Sequence, residues 1–268
     1  MEIVFTDVSY KYRNKKILNS INFTIKANKI TGITGDNKTL ICDILDATKY
    51  IDKGFITIGD IPLIKDNVKV IRKIVSLINQ DYNKQFFTNN IYEEVKFLVE
   101  RLEYKLKDID KKIDESLSMV GLKRNKYALI SSLTEAEKKL LQIAVSLIFN
   151  PDIIIFDESF NSLDKVNKRR IIKLIKALKT KYNKTIIISS NDVDLLYSLV
   201  DEIIIIKKGN VLVSGDIKDI YENERLLDGL NIDIPLLSRF TFLSRKKKQK
   251  ISFHKDYLDL IKDVYRHV

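Results

Sequence analysis

The chain has 268 residues, of which 45% are hydrophobic and 31% charged, and this balance suits one compact domain with a short extension. The single cysteine, Cys42, excludes an internal disulfide framework, and its apolar surroundings indicate a core position. Only two histidines, His254 and His267, are present, which argues against a histidine-based metal site or catalytic triad. The net charge of +11 comes from basic residues spread along the chain, which favours a generally basic surface over a nucleic-acid-binding site.

The first residues of the chain lack the pattern of a secretory signal, because charged and polar residues interrupt the apolar positions. No apolar run approaches the roughly 20 residues that a membrane-spanning helix needs. We therefore expect a soluble, cytoplasmic chain that can still dock on a membrane protein.

The first part of the chain has the pattern of strands with one helix among them. Apolar residues alternate with polar ones near the N-terminus, as is typical of half-buried β-strands. The helix follows a Gly-Asp-Asn-Lys-Thr segment and carries apolar residues between Leu40 and Leu45 on one face. The predicted strands are 2–8, 21–25, 29–34, 54–60 and 74–78.

The pattern becomes helical from about residue 89 to residue 150 and then returns to strands. Continuous apolar runs lie at 153–156, 185–188 and 203–206, and helices at 165–179 and 192–199 separate them. Such runs alternating with helices predict a largely parallel sheet covered on both faces. We therefore predict an α/β domain over residues 1–222, with a helical subdomain at about 89–150 inserted into it. A helical C-terminal extension is predicted over residues 223–268.

Two adjacent carboxylates, Asp157 and Glu158, come directly after the first of these buried runs. Ligands of α/β proteins bind at the carboxyl ends of strands, so this position suits a functional site. In phosphoryl-transfer sites the first carboxylate holds Mg²⁺ and the second orients or deprotonates the attacking water. Alone the pair is weak evidence, but the Ser-Leu-Asp segment that ends at Asp164 makes it more specific.

These residues make the chain resemble the nucleotide-binding subunits of ATP-binding cassette (ABC) transporters, and over most of its length it is similar to those of energy-coupling-factor (ECF) importers. The matching features are Tyr12, Gln80, the segment 81–87, Asn150-Pro151, Asp157-Glu158, Ser162-Leu163-Asp164 and the segment 227–235. The resemblance implies an α/β P-loop core with a largely parallel sheet, an N-terminal antiparallel β edge and an inserted all-helical subdomain.

The resemblance also implies a role for individual residues. Glu158, Asn191 and Gln80 take catalytic positions. Mg²⁺ ligands are expected at Thr39, Asp157 and Gln80. The ATP-binding positions are Tyr12, Gly35, Asn37, Lys38 and Thr39, with Tyr12 stacking on adenine.

ATP and Mg²⁺ are the cofactors that the resemblance implies, and the implied partners are a transmembrane transporter subunit and a second ABC subunit, which is either a copy of this chain or a paralogue. The transmembrane partner would dock near Gln80 and Phe86-Phe87. The implied location is cytoplasmic and peripheral, on the inner face of the cell membrane.

The phosphate-binding segment departs from the pattern G-x-x-x-x-G-K-[ST], whose backbone N–H groups hold phosphates at a helix N-terminus. A loop that starts at Gly35 lacks about three residues before Lys38 and forms no full cradle. A loop that starts at Gly32 keeps the spacing, with Asn37 in place of the second glycine. The first alignment is preferred because the second leaves a short preceding strand. In both, Asp36 or Asn37 occupies space where bare backbone should approach phosphate.

Two further motifs are altered. Where the family has Leu-Ser-Gly-Gly-Gln, the chain has Leu-Thr-Glu-Ala-Glu, and Thr134 with Glu137 predicts a capping box that uses helix N-terminal donors internally. The two glutamates of this segment would also repel ATP. Asn191 stands where the family has a histidine that senses the γ-phosphate, and it cannot carry that positive charge.

The retained and altered motifs together predict an ATP-binding subunit of an ABC/ECF-type importer with weak or absent hydrolysis. The alternative is a non-catalytic structural subunit that pairs with an active ABC subunit. Retention of Asp157 and Glu158 is the main argument for hydrolysis, although a strand end near polar backbone would keep such a pair without catalysis. Nucleic-acid binding is the least favoured hypothesis, and the basic run from Arg245 to Lys250 is interpreted as a solvated helix face.

Overall fold

A computed structural model describes residues 1–80, 86–101, 108–160 and 163–267. The strands are β1 (Ile3–Tyr12), β2 (Lys15–Ile25), β3 (Ile30–Gly35), β4 (Lys53–Ile58), β5 (Ile61–Pro62), β6 (Val75–Ile78), β7 (Ile153–Asp157), β8 (Thr185–Ser189), β9 (Glu202–Lys207) and β10 (Asn210–Asp216). The helices are α1 (Lys38–Leu45), α2 (Val68–Ile74), α3 (Ile91–Arg101), α4 (Ile109–Val120), α5 (Glu135–Ile148), α6 (Lys165–Tyr182), α7 (Val193–Leu199), α8 (Ile217–Tyr221), α9 (Glu224–Leu230), α10 (Leu236–Lys246) and α11 (Tyr257–His267). The expectations placed on 81–85 and on Ser162 lie outside the described residues.

The central sheet has the strand order β10-β9-β3-β8-β7-β6 in the described part of the chain. Its inner pairings are parallel, and β10 alone pairs with its neighbour in the antiparallel sense. The apolar runs predicted as buried strands are β7, β8 and β9, in which most residues are buried. The predicted largely parallel sheet is therefore confirmed.

The N-terminal strands form an antiparallel sheet of their own, in the order β2-β1-β4-β5. A hydrophobic cluster fills the space between this sheet, α1 and one face of the central sheet, and it includes Phe5, Ile41 and Cys42. Cys42 is fully buried, as predicted. The predicted antiparallel N-terminal strands are thus confirmed, and they pack over one face of the parallel sheet.

The opposite face of the central sheet carries a second and larger hydrophobic cluster. Alternate residues of one strand point to the two clusters, so Ile154 and Phe156 belong to the larger one while Ile153 and Ile155 belong to the smaller. This arrangement explains why β7 is apolar at successive positions, since neither of its faces meets water.

The helices α3, α4 and α5 lie between β6 and β7 in the chain, where the pattern predicts helices. Beyond residue 223, helices α9, α10 and α11 complete the chain, also as predicted. Leu227, Phe242 and Leu260 of these helices are buried in the larger cluster. The C-terminal extension therefore packs onto the same core as the α/β domain. The division of the chain at residue 222 stays a prediction.

Strands β5 and β10 and helices α2 and α8 are absent from the sequence-based prediction. Strand β10 has only a weak apolar-polar alternation because most of its residues are half-buried or exposed at the sheet edge, and α2 is a short helix of seven residues. In the described ranges, no helix has both the length and the apolarity required to cross a membrane.

Candidate functional site

Asp157 is the centre of a buried polar cluster at the carboxyl end of the central sheet. It ends β7 and is 3% exposed. Its Oδ1 accepts a hydrogen bond from Ser189 Oγ at 2.6 Å and another from Thr39 Oγ1 at 3.2 Å. Ser189 ends the neighbouring strand β8 and lies opposite Asp157 in the parallel register. Burial, together with the nearby Asp157 carboxylate, raises the pKa of the Cys42 thiol, which keeps the thiol neutral.

Glu158 comes directly after Asp157 with φ of 45°, in the left-handed region that favours glycine. The hydrogen bond from its amide to Ser189 O, at 2.9 Å, holds this conformation. The conformation turns the side chain towards α1, where its Oε1 lies 2.9 Å from Lys38 Nζ. The two side chains are 10% and 11% exposed, so this ion pair is largely shielded from water. The proposed catalytic carboxylate and the proposed phosphate-binding lysine therefore bind each other.

Two residues, Asp36 and Asn37, connect β3 to α1. Gly32, the alternative start of a phosphate loop, lies inside β3 and pairs with Ile188 and Ile203 on the two neighbouring strands. The connection present in the structure is therefore the short one that starts at Gly35.

Asp36, the first residue of this connection, is fixed by contacts with β9 and the turn after it. Asp36 N donates to Ile206 O at 2.8 Å, and the Asp36 carboxylate accepts a hydrogen bond from Lys208 N at 2.8 Å. Gly35 has φ of 97°, and a Cβ added there would lie 2.0 Å from Ile206 O. Asn37 is the N-cap of α1 in the left-handed conformation, and its side chain makes no capping bond. The connection is thus bound to β9 and the turn after it.

The residues fit Mg²⁺ better than they fit a triphosphate. Thr39 and Asp157 bring two oxygen donors together, and Mg²⁺ prefers oxygen ligands completed by water and phosphate. A triphosphate needs several free backbone N–H groups directed at it. Here the amide of Asp36 is bonded to Ile206 O. The groups that remain for phosphate are the N-terminus of α1 and the side chains of Lys38 and Thr39. Among the described residues, no cluster of three or more His, Cys, Asp or Glu side chains has metal-binding geometry.

The other predicted site residues do not join this cluster through any contact among the described residues. Tyr12 ends β1 with its side chain 54% exposed, and the Arg13 guanidinium lies 5.4 Å from its ring centroid. Asn191 lines a cavity of about 220 Å³ together with Gly35. Gln80 lies just beyond the end of β6 and is exposed. In the described part of the chain, Tyr12, Gln80 and Asn191 form no hydrogen bond or ion pair with Lys38 or Asp157, so their predicted roles stay predictions.

The capping box predicted at the start of α5 is confirmed. Glu137 N donates to Thr134 Oγ1 at 3.3 Å, and Thr134 N donates to Glu137 Oε2 at 2.9 Å. Two amides at this helix N-terminus are therefore bonded within the helix, and Glu135 adds a further negative charge in the first turn.

Two contacts of the site were not predicted from the sequence, that of Ser189 with Asp157 and that of Asp36 with Lys208. Ser189 could have been found as the polar residue that ends the strand next to β7, since neighbouring parallel strands end at the same edge. The attachment of Asp36 to Lys208 has no local signal, because it depends on how β3 and β9 are aligned.

A protein-family model described as "ABC transporter" matches residues 18–161. A putative ABC transporter ATP-binding protein of Pyrococcus furiosus is 31% identical over 244 residues, covering 90% of this chain and 89% of that protein. The energy-coupling factor transporter ATP-binding protein EcfA1 of Streptococcus agalactiae is 28% identical over 243 residues, covering 88% of this chain and 87% of that protein.

Solved structures have the same fold. The cbiO1 protein of Clostridium perfringens, part of the ABC transporter complex cbiONQ, superposes with a TM-score of 0.75 at 24% identity, covering 90% of this chain and 98% of that chain. The ATP-binding cassette MJ0796, solved as a dimer bound to ADP and Pi, gives a TM-score of 0.72 at 22% identity, covering 80% of this chain and 98% of that chain.

Proposed function

The chain belongs to the ABC transporter family, and on that premise we propose that it is an ATP-binding subunit of an ECF-type importer in which ATP hydrolysis is weak or absent. Similarity to EcfA1 over most of both chains supports the importer type. The observation that carries the proposal is the two-residue connection between β3 and α1, beside which Lys38 pairs with Glu158.

The short connection weakens phosphate binding for two physical reasons. Phosphoryl transfer depends mainly on preorganised donors and positive charges that face the transferring group. The connection offers few free amides, because the Asp36 amide is bonded to Ile206 O. The Asp36 carboxylate also brings negative charge next to the place where phosphate would enter.

The ion pair between Lys38 and Glu158 also opposes ATP hydrolysis. A lysine that neutralises Glu158 has to leave it before its charge can act on phosphate. Glu158 in turn has to leave the ammonium group, which lies 2.9 Å away, before its carboxylate can bond the attacking water. Thr39 and Asp157 would hold Mg²⁺ if Mg·ATP binds, and the metal would supply positive charge that offsets the phosphates.

A second candidate function is a non-catalytic subunit that pairs with an active ABC subunit. The capping box of Thr134 and Glu137 favours it, because those amides are used within α5 and are not directed at a nucleotide on a second subunit. Loss of one preorganised donor set costs about 10²–10³ in rate. Such a subunit would keep the fold and the dimer surface while its partner supplies the hydrolysis.

The proposed partners are a transmembrane transporter subunit and a second ABC subunit, at the cytoplasmic face of the membrane. A cavity of about 380 Å³ lies between the core and the helical subdomain. Its lining includes Arg72, Leu77, Phe86, Phe87 and Leu98. Phe87 is 56% exposed, which suits a surface that docks a helix of the transmembrane partner.

The test is the steady-state ATPase activity of the purified chain beside its Glu158→Gln variant. We expect a turnover below about 1 s⁻¹, the low end for enzymes, that Glu158→Gln leaves unchanged. Turnover above that value, abolished by Glu158→Gln, would overturn the proposal of weak hydrolysis. Adding an active ABC subunit distinguishes the two candidates. A Glu158→Gln effect on the mixed activity indicates a working site on this chain, and no effect indicates the non-catalytic subunit.

A further inference from the structure

Lys139 is a lysine on α5 that is almost completely buried, with 1% of its surface exposed. Its ammonium group donates hydrogen bonds to the main-chain carbonyls of Asn79 and Gln80, the two residues after β6. It also donates to Gln142 Oε1, one turn further along α5, at 3.2 Å. A side chain of the helical subdomain thus holds the backbone of the central domain directly after a strand of its sheet.

Three oxygens inside the protein accept hydrogen bonds from the Lys139 ammonium, which is a donor only. Burial of a charged group is costly unless it is paired and hydrogen-bonded, so a lysine in this position is a specific feature and not a general packing residue. A hydrophobic side chain would fill the space without linking the two parts of the chain.

The backbone carbonyl just before Asn79 is also bonded, by the residue that follows Asp157 and Glu158. Ile78 O accepts a hydrogen bond from Ser159 Oγ at 3.0 Å, and Ser159 is the residue directly after Glu158. Three consecutive carbonyls, from Ile78 to Gln80, are therefore bonded by two side chains from different parts of the chain. Ser159 connects them to the Asp157-Glu158 end of β7, and Lys139 connects them to α5.

We propose that Lys139 is a positioning residue that fixes the helical subdomain (α3, α4 and α5) against the end of β6. The cavity of about 380 Å³ lies between these two parts, with Asn79 and Gln142 in its lining. Both residues bond Lys139, so the lysine sets how far apart the walls of this cavity stand. The inference does not depend on the proposed function, because it concerns the chain without nucleotide.

The test measures the position of the subdomain directly. Spin labels are attached to Lys111→Cys on α4 and to Lys16→Cys on β2, two exposed positions. The native Cys42 is fully buried and so does not compete for the label. The distance distribution is measured by pulsed electron paramagnetic resonance without nucleotide. Lys139→Met keeps the side-chain volume but removes the hydrogen-bond donors. It should make the distribution of distances between the two labels at least about twice as wide.

Lys138→Met is the matched control on the same helix, because Lys138 pairs with Glu135 in the first turn. It should leave the distance distribution unchanged. Hydrogen exchange gives an independent readout, in which the amides from Ile78 to Gln80 should exchange about tenfold faster in Lys139→Met. Loss of local packing alone would speed exchange without changing the distance between the labels.

An unchanged distance distribution in folded Lys139→Met would overturn the inference. If this variant does not fold, Lys139→Gln takes its place, since a glutamine keeps an amide donor on a shorter side chain. Its distribution should be wider than that of the unsubstituted chain, and an unchanged width would again overturn the inference. ATPase activity does not enter this experiment, so failure of the proposed function and failure of this inference remain distinguishable.

Discussion

The carboxyl ends of β7 and β3 lie at the same edge of one sheet, with β8 between them, but the segments attached to these two strand ends differ. After β7, Asp157 and Glu158 are both hydrogen-bonded to Ser189. After β3, only Asp36 and Asn37 lead into α1, and Asp36 is bonded to β9 and the turn after it. The end of β7 therefore carries the Asp-Glu pair, whereas the connection after β3 is shorter than the pattern G-x-x-x-x-G-K-[ST] requires.

The two segments differ in how much their hydrogen bonds contribute to the stability of the protein. Asp157 is buried and bonds Ser189 and Thr39, so its removal would leave two hydroxyls without their acceptor inside the protein. A phosphate loop makes no comparable hydrogen bonds within the protein, because its amides donate to the ligand. Stability therefore preserves the first segment whether or not the site binds ATP.

The largest effect is expected from Gly35→Ala, which tests how firmly the short connection is fixed. A Cβ at this position would lie 2.0 Å from Ile206 O on a backbone with φ of 97°. The free energy of unfolding should fall by about 3 kcal/mol or more. Urea unfolding measures this change in the free energy of unfolding. Gly229→Ala is the control, because nothing lies within 4 Å of the added Cβ, and it should change stability little or raise it. Equal effects of the two substitutions would contradict the account.

The next largest effect concerns the ion pair that joins the two strand ends. Glu158→Gln leaves the buried Lys38 without its charge partner and should destabilise the chain by about 3 kcal/mol. A double-mutant cycle with Lys38→Met should give a coupling free energy of about 1–3 kcal/mol. The exposed pair of Lys262 and Asp259, with side chains 68% and 60% exposed, is the control and should give a coupling below about 0.5 kcal/mol. A coupling near zero at Lys38 and Glu158 would mean that the pair does not join these segments.

Asp46, the residue directly after α1, should make the stability of this region depend on pH. Burial raises the pKa of Asp46 to about 7, more than the nearby Arg72 lowers it. A carboxyl whose pKa is raised in the folded state contributes stability that is fully present below pH 3.8 and is lost as pH rises towards 7. Asp46→Asn cannot ionise, so its stability relative to the unsubstituted chain should increase by about 2–3 kcal/mol between pH 5 and pH 8. Thermal unfolding at pH 5 and pH 8 measures the difference, and an equal difference at both pH values would contradict the assignment.

The smallest effect is expected at the capping box. Thr134→Ala removes the side-chain bond to Glu137 N and should cost about 1 kcal/mol. Thr180→Ala, inside α6, is the control and should be neutral within about 0.5 kcal/mol. Chemical unfolding of both variants gives the comparison. If Thr134→Ala is neutral too, the segment is not kept for capping, and the argument for a non-catalytic subunit loses its support.

Most of the central sheet could be predicted because the apolar runs of β7, β8 and β9 indicate burial on both faces, whereas the half-buried edge strand β10 carries only a weak signal. The length of the loop before Lys38 could not be settled from sequence, because both alignments use the same residues. The pairing of Gly32 with Ile188 and Ile203 decides it, and that pairing is a property of the assembled sheet. The contact of Lys38 with Glu158 has the same origin, since the two residues are far apart in the chain and meet only when β3 and β7 lie in one sheet.

The most direct test of the account is calorimetric measurement of Mg·ATP binding to the chain and to a variant with Gly-Ser-Gly inserted between Asn37 and Lys38. We expect a Kd weaker than about 1 mM for the chain itself. The lengthened loop should bind at least about tenfold more tightly, and Lys38→Met in that background should remove the gain. A Kd below about 10 μM for the chain itself, unimproved by the insertion, would show that the short connection holds phosphate and would contradict the account.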